Sequence, residues 1–359
     1  MCAIISSSDA IKQAPAIQSL DRITPRGYPM PENHCPLNLF IIKKFHGYYT
    51  PSPISNGLRN SAQFIVDMLL AEGWRAKLVV AIDGNSIDKL VAENHPCRVV
   101  IEAIWVTPAK MKELVNLYPS VQWTIRVHSE IPFLANEGMS IEWLAEFEKM
   151  GIEIAFNSEQ TVKDFSVIGA STWLPNYYPV RKPRPQKPEC DHLNIGCFGA
   201  IRPLKNQLIQ AFGAVKYAQR KKKKLIFHMN GSRLEQNGEN NLKNIKALLA
   251  ATGSELVLHP WMDHVDFLEL IAEMDICLQV SLSESFCIVA SDAVSMGVPL
   301  VGSEAISWLP ERAQADVNSA ESIADAMRRA DTVTVWMNHH ALKDYIHETV
   351  KAWNRWIEK

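Results

Sequence analysis

Two carboxylates with seven residues between them, Glu284 and Asp292, are the side chains of this chain whose spacing best suggests chemistry. Glu284 comes shortly after the apolar stretch 276–280, which has the composition of a buried strand, and Asp292 lies in an apolar segment with a helical pattern. Ligands of α/β folds bind in the crevice beyond the carboxyl ends of parallel strands. A helix that begins there favours anions such as phosphate. The spacing therefore predicts a ligand site with Glu284 at its mouth and Asp292 deeper along the helix.

Basic residues and glycines are predicted to converge on the same crevice. Gly199 follows a predicted strand, and Arg202 and Lys205 come next, where a helix is predicted to begin. Arginine and lysine neutralise phosphate charge, while backbone N–H groups at a helix start supply donors. Gly231 follows the next predicted strand. Because the carboxyl ends of parallel strands share one edge of a sheet, these residues predict a diphosphate site beside Glu284.

Strand and helix patterns alternate in both halves of the chain. Residues 37–178 and 192–340 each contain short apolar strands separated by helical segments, which predicts an α/β class with two doubly wound parallel sheets. Residues 1–36 show no sustained period and are predicted to form an irregular arm. Segment 179–191 is rich in proline and basic residues, and a solvated linker is favoured over a polyanion-binding surface. The final segment, 341–359, has a helical pattern.

The composition favours a large enzyme over a nucleic-acid-binding or secreted protein. The chain has 359 residues, of which 47% are hydrophobic, and a net charge of −2, so it is long enough for two α/β cores and neither half is a basic platform. The seven cysteines form no C-x-x-C pair, which argues against a zinc site or disulfide framework and favours a cytoplasmic location. No apolar run is long enough to span a membrane, and no signal-peptide pattern is present.

The motifs around these residues resemble those of the retaining GT-B glycosyltransferases of family four, the glycosyl transferases group 1. That family has a Gly-Arg-x-x-x-x-Lys turn, a Gly-x-Gly turn, a Ser-x-x-Glu-x-Phe-Gly loop that opens an E-x7-E element, and a Gly-x-Pro-Val segment. The matching positions in the second half are Lys205, Gly231, Ser281 or Ser283, Glu284, Phe286 and residues 297–300. In the first half the matches are Asn56-Gly57 with the glycine loop, His128 with the strand-end histidine, 157–159 with the N/S-E strand end, and 174–178 with the lead into the linker.

The resemblance, which covers roughly residues 37–310, implies a GT-B fold with two Rossmann-like domains facing a cleft, crossed by the helix 341–359. It implies sugar transfer from a nucleotide-diphosphate sugar with retention at the anomeric carbon. Arg202 and Lys205 would bind the diphosphate, Glu284 the sugar hydroxyls and Asp292 the ribose. His128 would approach the transferred sugar or the acceptor. The other expected donor contacts, many made by the backbone, are Asn56, Gly57, Gly199, Gly231, Pro260, Trp261, Met262, Ser283, Ser285, Phe286, Cys287 and Ile288.

The implied enzyme is a hexosyl- or pentosyltransferase that needs no cofactor and no metal, because the chain has no D-x-D motif and two cations stand near the diphosphate. A UDP-sugar is favoured as the co-substrate, with GDP- and ADP-sugars as alternatives. The first domain would hold the acceptor, which is a glycan, a small molecule or modified DNA. Glu130, two residues beyond His128, is a further acceptor-binding candidate.

Three positions depart from the family pattern, and two alternative functions stay open. Ala200 stands where the family has arginine, Cys287 where it has glycine, and Asp292 where it has glutamate. One alternative is a phage-type glycosyltransferase that modifies hydroxymethylated bases in DNA. The other is a sugar-nucleotide-binding homologue without turnover, which Ala200 and Asp292 support and which Lys205 and Glu284 oppose.

Overall fold

A computed structural model describes residues 36–44, 56–181 and 190–359. The expected arm, 1–36, lies almost entirely outside these residues, as does most of the expected linker. The described residues form two parallel sheets flanked by helices, so the predicted α/β class with two Rossmann-like sheets is confirmed. No helix in these three ranges has the length and apolar character that crossing a membrane requires.

The first sheet contains six parallel strands and lies among six helices. Its strands are β1 (Asn38–Lys43), β2 (Ala76–Ala81), β3 (Arg98–Glu102), β4 (Gln122–Val127), β5 (Glu153–Phe156) and β6 (Thr172–Trp173). Its helices are α1 (Asn56–Ala71), α2 (Ile87–Asn94), α3 (Pro108–Leu117), α4 (Ile131–Leu134), α5 (Ser140–Lys149) and α6 (Glu159–Phe165). The strand order is β2-β1-β3-β4-β5-β6. Every residue of β3 and nearly all of β1 are buried, as expected for strands covered on both faces.

The second sheet contains five parallel strands in the order β11-β10-β7-β8-β9, where β7 is His192–Gly196, β8 Lys224–Asn230, β9 Glu255–His259, β10 Ile276–Gln279 and β11 Leu300–Gly302. Its helices are α7 (Gln207–Lys221), α8 (Gly238–Ala251), α9 (His264–Ala272), α10 (Ile288–Met296) and α11 (Ala320–Arg329). From β7 the chain runs outward through β8 and β9 and then returns to β10 on the other side of β7. The carboxyl ends of β7 and β10 therefore form a topological switch point, where open α/β sheets bind ligands.

The loop after β7 differs in detail from the sequence expectation. The helix predicted to begin at Leu204 begins at Gln207, because Pro203–Lys205 forms a separate 3-10 turn. Asn206, which joins the two, has a φ of 56°, in the left-handed region. The break turns Lys205 out of the helix and places it at the edge of the sheet.

The last helix, α12 (Thr332–Ile357), begins earlier than the sequence pattern indicates. The Asp331 side chain accepts a hydrogen bond from the Thr334 backbone N–H and so caps the first turn. The apolar period of the helix becomes regular only near residue 341, which is why the sequence expectation began there.

Helix α12 connects the cores of the two sheets. Leu342 and Ile346 pack in a core cluster with residues of α9 and α10, whereas Trp353 and Trp356 pack against β1 and β3 of the first sheet. The Trp353 indole N–H donates to the Pro175 carbonyl at 2.9 Å. The two sheets and this helix belong to one compact unit, Pro36–Lys359.

Candidate functional site

Lys205 and Glu284 form a buried ion pair at the switch point of the second sheet. Lys205 ends the 3-10 turn that follows β7, and Glu284 lies in the loop that follows β10. The Lys205 Nζ is 2.5 Å from Glu284 Oε1, and the two side chains are 12% and 7% exposed. Burial alone would lower the pKa of Lys205, but the charge of Glu284 outweighs it and raises that pKa. Lys205 is therefore charged at neutral pH.

Two glycines shape the floor of this crevice. Gly199 has a φ of +113°, a conformation that L side chains rarely adopt, and its N–H donates to Asn230 Oδ1 at 2.8 Å. At Gly231 a Cβ atom would lie 2.9 Å from the Leu258 Cβ, so a larger residue would push β8 and β9 apart. Gly199 lies in the loop after β7, and Gly231 directly follows β8.

Arg202 points across the cleft toward the first sheet. Its guanidinium lies 4.6 Å from the ring centroid of Phe133, in α4, and its Nη1 donates to Glu235 Oε2 at 3.1 Å. Arg233, which the sequence analysis did not single out, pairs with the other oxygen of Glu235 at 2.6 Å and lies over Trp261. A single carboxylate thus holds two arginines on the same rim of the crevice.

The loop 283–288 places two buried side chains beneath it. The side chains of Phe286 and Cys287 are buried, at 1% and 7% exposure, and the Trp308 indole donates to the Phe286 carbonyl at 2.9 Å. Ser285 accepts a hydrogen bond at 3.1 Å from Asn157, which follows β5 of the first sheet. Helix α10 begins at Ile288, so the N–H groups around it have no partners within the helix.

Cys287 has the environment of a structural thiol. It adopts a φ of 64° at the N-terminus of α10, and its Sγ contacts Gln279 Oε1 at 3.4 Å. Burial raises the pKa of Cys287 well above its ordinary value, which keeps the thiol protonated and makes it a poor nucleophile.

Asp292 lies in helix α10 and is engaged by neighbouring side chains. Its Oδ1 accepts from the Tyr178 hydroxyl and faces His264 Nε2, each at 2.7 Å, and the carboxylate side chain is 2% exposed. Phe64 of helix α1 packs against both Tyr178 and His264. Asp292 Oδ2 has no hydrogen-bond partner in the described parts of the chain, so one oxygen is left for another group.

His128 is held by a buried charge cluster of the first sheet. Its Nε2 contacts Glu102 Oε2, and the same oxygen accepts from Arg126 Nη1 at 3.0 Å. Burial and the Arg126 charge lower the pKa of His128 despite the opposing effect of Glu102. Burial by itself would raise the pKa of Glu102, but Arg126 and His128 lower it. With Glu102 ionised and the imidazole neutral, Nε2 donates and Nδ1 is an acceptor.

Glu130 is partly buried beside α6. Its Oε2 accepts from the Thr161 hydroxyl at 2.5 Å, and its Oε1 is buried with no partner among the residues described. Burial is the main cause that raises the pKa of Glu130, and the charges of Asp164 and Glu284 raise it further. Glu130 lies in the loop after β4, at the carboxyl edge of the first sheet.

The remaining candidates lie after β9, at the start of α1 and in the loop after β10. Trp261 follows β9, between Pro260 and Met262, and its backbone N–H donates to Ser232 Oγ at 3.0 Å. Gly57 is the second residue of α1, after Asn56, and a Cβ atom at Gly57 would meet nothing within 4 Å. No described residue therefore lies close enough to position 57 to require the absence of a side chain there. Ser283 lies in the same loop as Glu284.

Several residues that shape the site were missed because their partners are far apart in the chain. Glu102 and Arg126 are fully buried and bond across neighbouring strands, which local periodicity does not reveal. Tyr178, which follows β6, and His264, the first residue of α9, meet at Asp292 although they are distant in the chain. A charged residue within an apolar strand was the available signal for Glu102 and Arg126. Among residues 36–44, 56–181 and 190–359, no group of three or more His, Cys, Asp or Glu side chains is arranged to hold a metal ion.

Comparisons with known proteins confirm the resemblance to GT-B glycosyltransferases. Residues 192–331, which hold the second sheet and its loops, match the family model Glycosyl transferases group 1. This match supports transferase activity, with a nucleotide-sugar donor and an acceptor. No curated protein matches the sequence at a significant level.

Solved structures with the same fold include sucrose-phosphate synthase from Thermosynechococcus elongatus, with a TM-score of 0.65 and 12% identity over 90% of this chain and 98% of that one. The N-terminal domain of Candida albicans trehalose-6-phosphate phosphatase has a TM-score of 0.66 and 8% identity, over 93% and 99% of the two chains. An E. coli trehalose-6-phosphate protein bound with UDP-2-fluoro glucose has a TM-score of 0.59 and 12% identity, over 90% and 97%. These identities establish the shared fold alone.

Proposed function

We propose that this chain, whose residues 192–331 match Glycosyl transferases group 1, is a retaining glycosyltransferase that uses a nucleotide-diphosphate sugar. The observation that carries the proposal is the Lys205–Glu284 pair at the switch point between β7 and β10. It supplies a cation and a carboxylate side by side, where the diphosphate and the sugar of one donor would lie next to each other.

The donor is proposed to exchange with this ion pair. A diphosphate competes with Glu284 for Lys205, and Glu284 then accepts hydrogen bonds from the sugar hydroxyls. When the bond between the anomeric carbon and the diphosphate breaks, negative charge grows on the departing oxygen, and Lys205 and Arg202 stabilise it. Because Lys205 is held at the sheet edge by a 3-10 turn, little reorganisation is needed at that moment.

The nucleoside is proposed to extend from the diphosphate toward α10 and the segment 260–262. The free oxygen of Asp292, Oδ2, is positioned to accept from a ribose hydroxyl while Tyr178 and His264 hold Oδ1. Backbone around Trp261 would border the base. A UDP-sugar is favoured, and the E. coli structure with UDP-2-fluoro glucose shows that a neighbour of the same fold accommodates one.

The acceptor is proposed to enter from the first sheet. His128 offers Nδ1 as a hydrogen-bond acceptor, and Glu130 offers a carboxyl oxygen without a partner among the described residues. Both follow β4, so both reach the cleft from the carboxyl edge of that strand. They are suited to bind hydroxyl groups of a sugar or of an acceptor.

Calorimetry with UDP, GDP and ADP, followed by assays of donor consumption with the matching sugars, tests the proposal. Lys205→Met should weaken binding of the preferred diphosphate by about tenfold or more, the scale for losing a charged hydrogen-bond partner. Lys246→Met, an exposed lysine on α8, is the matched control and should bind normally. Unchanged affinity in Lys205→Met would refute the phosphate assignment.

The same assays separate the alternatives. Consumption of the donor, including slow hydrolysis without acceptor, supports an enzyme, whereas binding without turnover supports a sugar-nucleotide-binding homologue. We expect activity to survive EDTA, because Lys205 and Arg202 supply the positive charge at the diphosphate. Loss of activity on chelation, with recovery on adding Mg²⁺ or Mn²⁺, would show that a metal contributes.

A further inference from the structure

A second cavity lies at the opposite end of the first sheet from the cleft. It has a volume of about 450 Å³ and is bordered by the first residues of β3, β4 and β5 and by the last turn of α12. This volume lies within the range of pockets that bind small molecules. The amino ends of the strands face it, whereas Lys205, Glu284 and His128 all follow carboxyl ends.

Arg98 gives this cavity a buried positive charge without a carboxylate partner. The residue is 8% exposed. Its Nε donates to Gln122 Oε1 at 2.6 Å, and its guanidinium lies 5.5 Å from the Trp356 ring centroid. No Asp or Glu in the described parts of the chain lies within ion-pair distance of it. A buried charge without a counterion is costly, so the site has capacity for an anion.

Among the other buried polar side-chain atoms that line the cavity, the one without a hydrogen-bond partner in the described parts of the chain is a donor. Trp123 lines the cavity, is 5% exposed, and its indole Nε1 is buried with no partner among the described residues. Glu153, the one acidic side chain of the lining, is saturated: Oε1 accepts from Thr172 and Trp356, and Oε2 from Thr124 and Trp356. Lys359, at the end of the chain, also lines the cavity and brings a second basic side chain. A ligand that completes these hydrogen bonds must therefore bring acceptors.

Apart from Gln122 and Lys359, the rest of the cavity wall is apolar. Its side chains are those of Val115, Pro119, Val121, Met150 and Ile152. The face of Trp356 adds a flat aromatic surface beside the Arg98 guanidinium. Such a wall favours a molecule with an apolar or ring-shaped body behind its charged group.

We propose that this cavity binds a small organic oxyanion, a carboxylate or phosphate ester, through the Arg98 guanidinium and the Trp123 N–H, with its body against the apolar wall. Arginine pairs with both kinds of oxyanion through two parallel N–H donors. The site is separate from the donor cleft and does not depend on the function proposed for that cleft. Because Trp356 belongs to α12, a bound anion would also fasten the end of that helix to the first sheet.

Calorimetry on the full chain tests the proposal with phenyl phosphate and benzoate as probes and benzyl alcohol as the neutral control. Either anion should bind, and benzyl alcohol should bind at least about tenfold more weakly, because it cannot satisfy the charge of Arg98. Saturating UDP should leave the binding unchanged. Displacement by UDP would place the probe in the donor cleft and overturn the proposal.

Two variants separate this site from a merely structural arginine. Arg98→Met should abolish anion binding yet keep or raise the melting temperature, since it replaces an uncompensated buried charge with an apolar side chain of similar length. Trp123→Phe should weaken binding severalfold through loss of one hydrogen bond. Arg328→Met, an exposed arginine on α11, is the control. Binding unaffected by both cavity variants, or no binding of either anion to the unmodified protein, would refute the site.

Discussion

At the scale of single residues, a charged cluster lies at the carboxyl edge of each sheet. Lys205 and Glu284 form the cluster of the second sheet, and Glu102 and Arg126 lie beneath His128 in the first. Buried ion pairs gain little net stability, and removing one partner is strongly destabilising. Each cluster therefore ties function to stability, and experiments on it must measure both.

The first prediction separates the two carboxylates of the second sheet. Glu284→Gln should lower kcat by about two to three orders of magnitude, the scale for losing a group that stabilises developing charge, with nucleoside diphosphate binding nearly intact. Asp292→Asn should mainly raise the donor KM, because a ribose contact is made equally in the ground and transition states. Steady-state kinetics with the preferred donor distinguish these patterns. The reverse pattern would contradict the assigned roles.

The second prediction concerns the stability contributed by Glu102. Its folded-state pKa lies below its ordinary value of 4.5, so its contribution is present above that pH and is lost as pH falls through the lowered value. Glu102→Gln should cost about 3–5 kcal/mol at pH 7, because it strands Arg126 in the core. The difference from the unmodified protein should shrink as the pH is lowered below 4.5.

Urea unfolding at neutral and acidic pH measures this difference. Glu93→Gln is the matched control, because that carboxylate is 55% exposed and pairs with Lys89 at 3.7 Å on the surface of α2. It should change stability by less than about 0.5 kcal/mol. A loss for Glu102→Gln that stays constant with pH would show that altered hydrogen bonding, and not the lost charge, explains its effect.

At the scale of elements, helices α7 and α11 pack closely at one glycine. A Cβ atom on Gly213 would lie 2.5 Å from Ile323 Cγ2 and 3.3 Å from the Ala320 carbonyl oxygen. We predict that Gly213→Ala lowers the free energy of unfolding by about 1–3 kcal/mol, as overpacking does elsewhere. Gly138→Ala is the control, since a Cβ there meets nothing within 4 Å. Equal stability of the two variants in urea unfolding would contradict this packing.

The elements that could be predicted from the sequence are those whose pattern is local. Buried strands such as β3 and amphipathic helices such as α1 have periods that a short window reveals. Strand β6 has two residues and shows no period, and α4 has four. The 3-10 turn at Lys205 depends on the left-handed Asn206, which no propensity predicts reliably. Strand β6, helix α4 and this 3-10 turn could be identified only from the tertiary structure.

The candidate site likewise combines residues that a local motif reveals with contacts that only the tertiary structure reveals. Lys205 and Glu284 stood in recognisable local motifs, and the structure brings their side chains into contact. The engagement of Asp292 by Tyr178, 114 positions earlier, could not be predicted, because no local rule joins residues so distant in the chain. The roles of all these residues in donor binding stay predictions until the assays above are made.

At the scale of the whole molecule, α12 holds the two sheets in one unit. Trp353 is completely buried, its ring lies 5.4 Å from the Arg126 guanidinium, and it packs on Phe40 of β1. We predict that Trp353→Ala costs about 3–5 kcal/mol of unfolding free energy. Trp336→Ala, on the same helix but 61% exposed, should change it by about 0.5 kcal/mol or less. Similar values for both in thermal unfolding would mean that the end of α12 does not support the first sheet.

The two passages of the chain between the sheets have a mechanical consequence. The backbone crosses once after β6 and a second time along α12, whose middle packs on α10 and whose end packs on β1. Two bodies whose backbone connections lie at two separate points rotate most easily about the line through both points. Such a rotation would have to break the side-chain contacts across the cleft, such as Asn157 with Ser285 and Arg202 with Phe133. An opening of the cleft would therefore be a rotation of one sheet relative to the other about this single axis. The candidate groups that follow β4 and β10 would then approach and separate along one fixed arc.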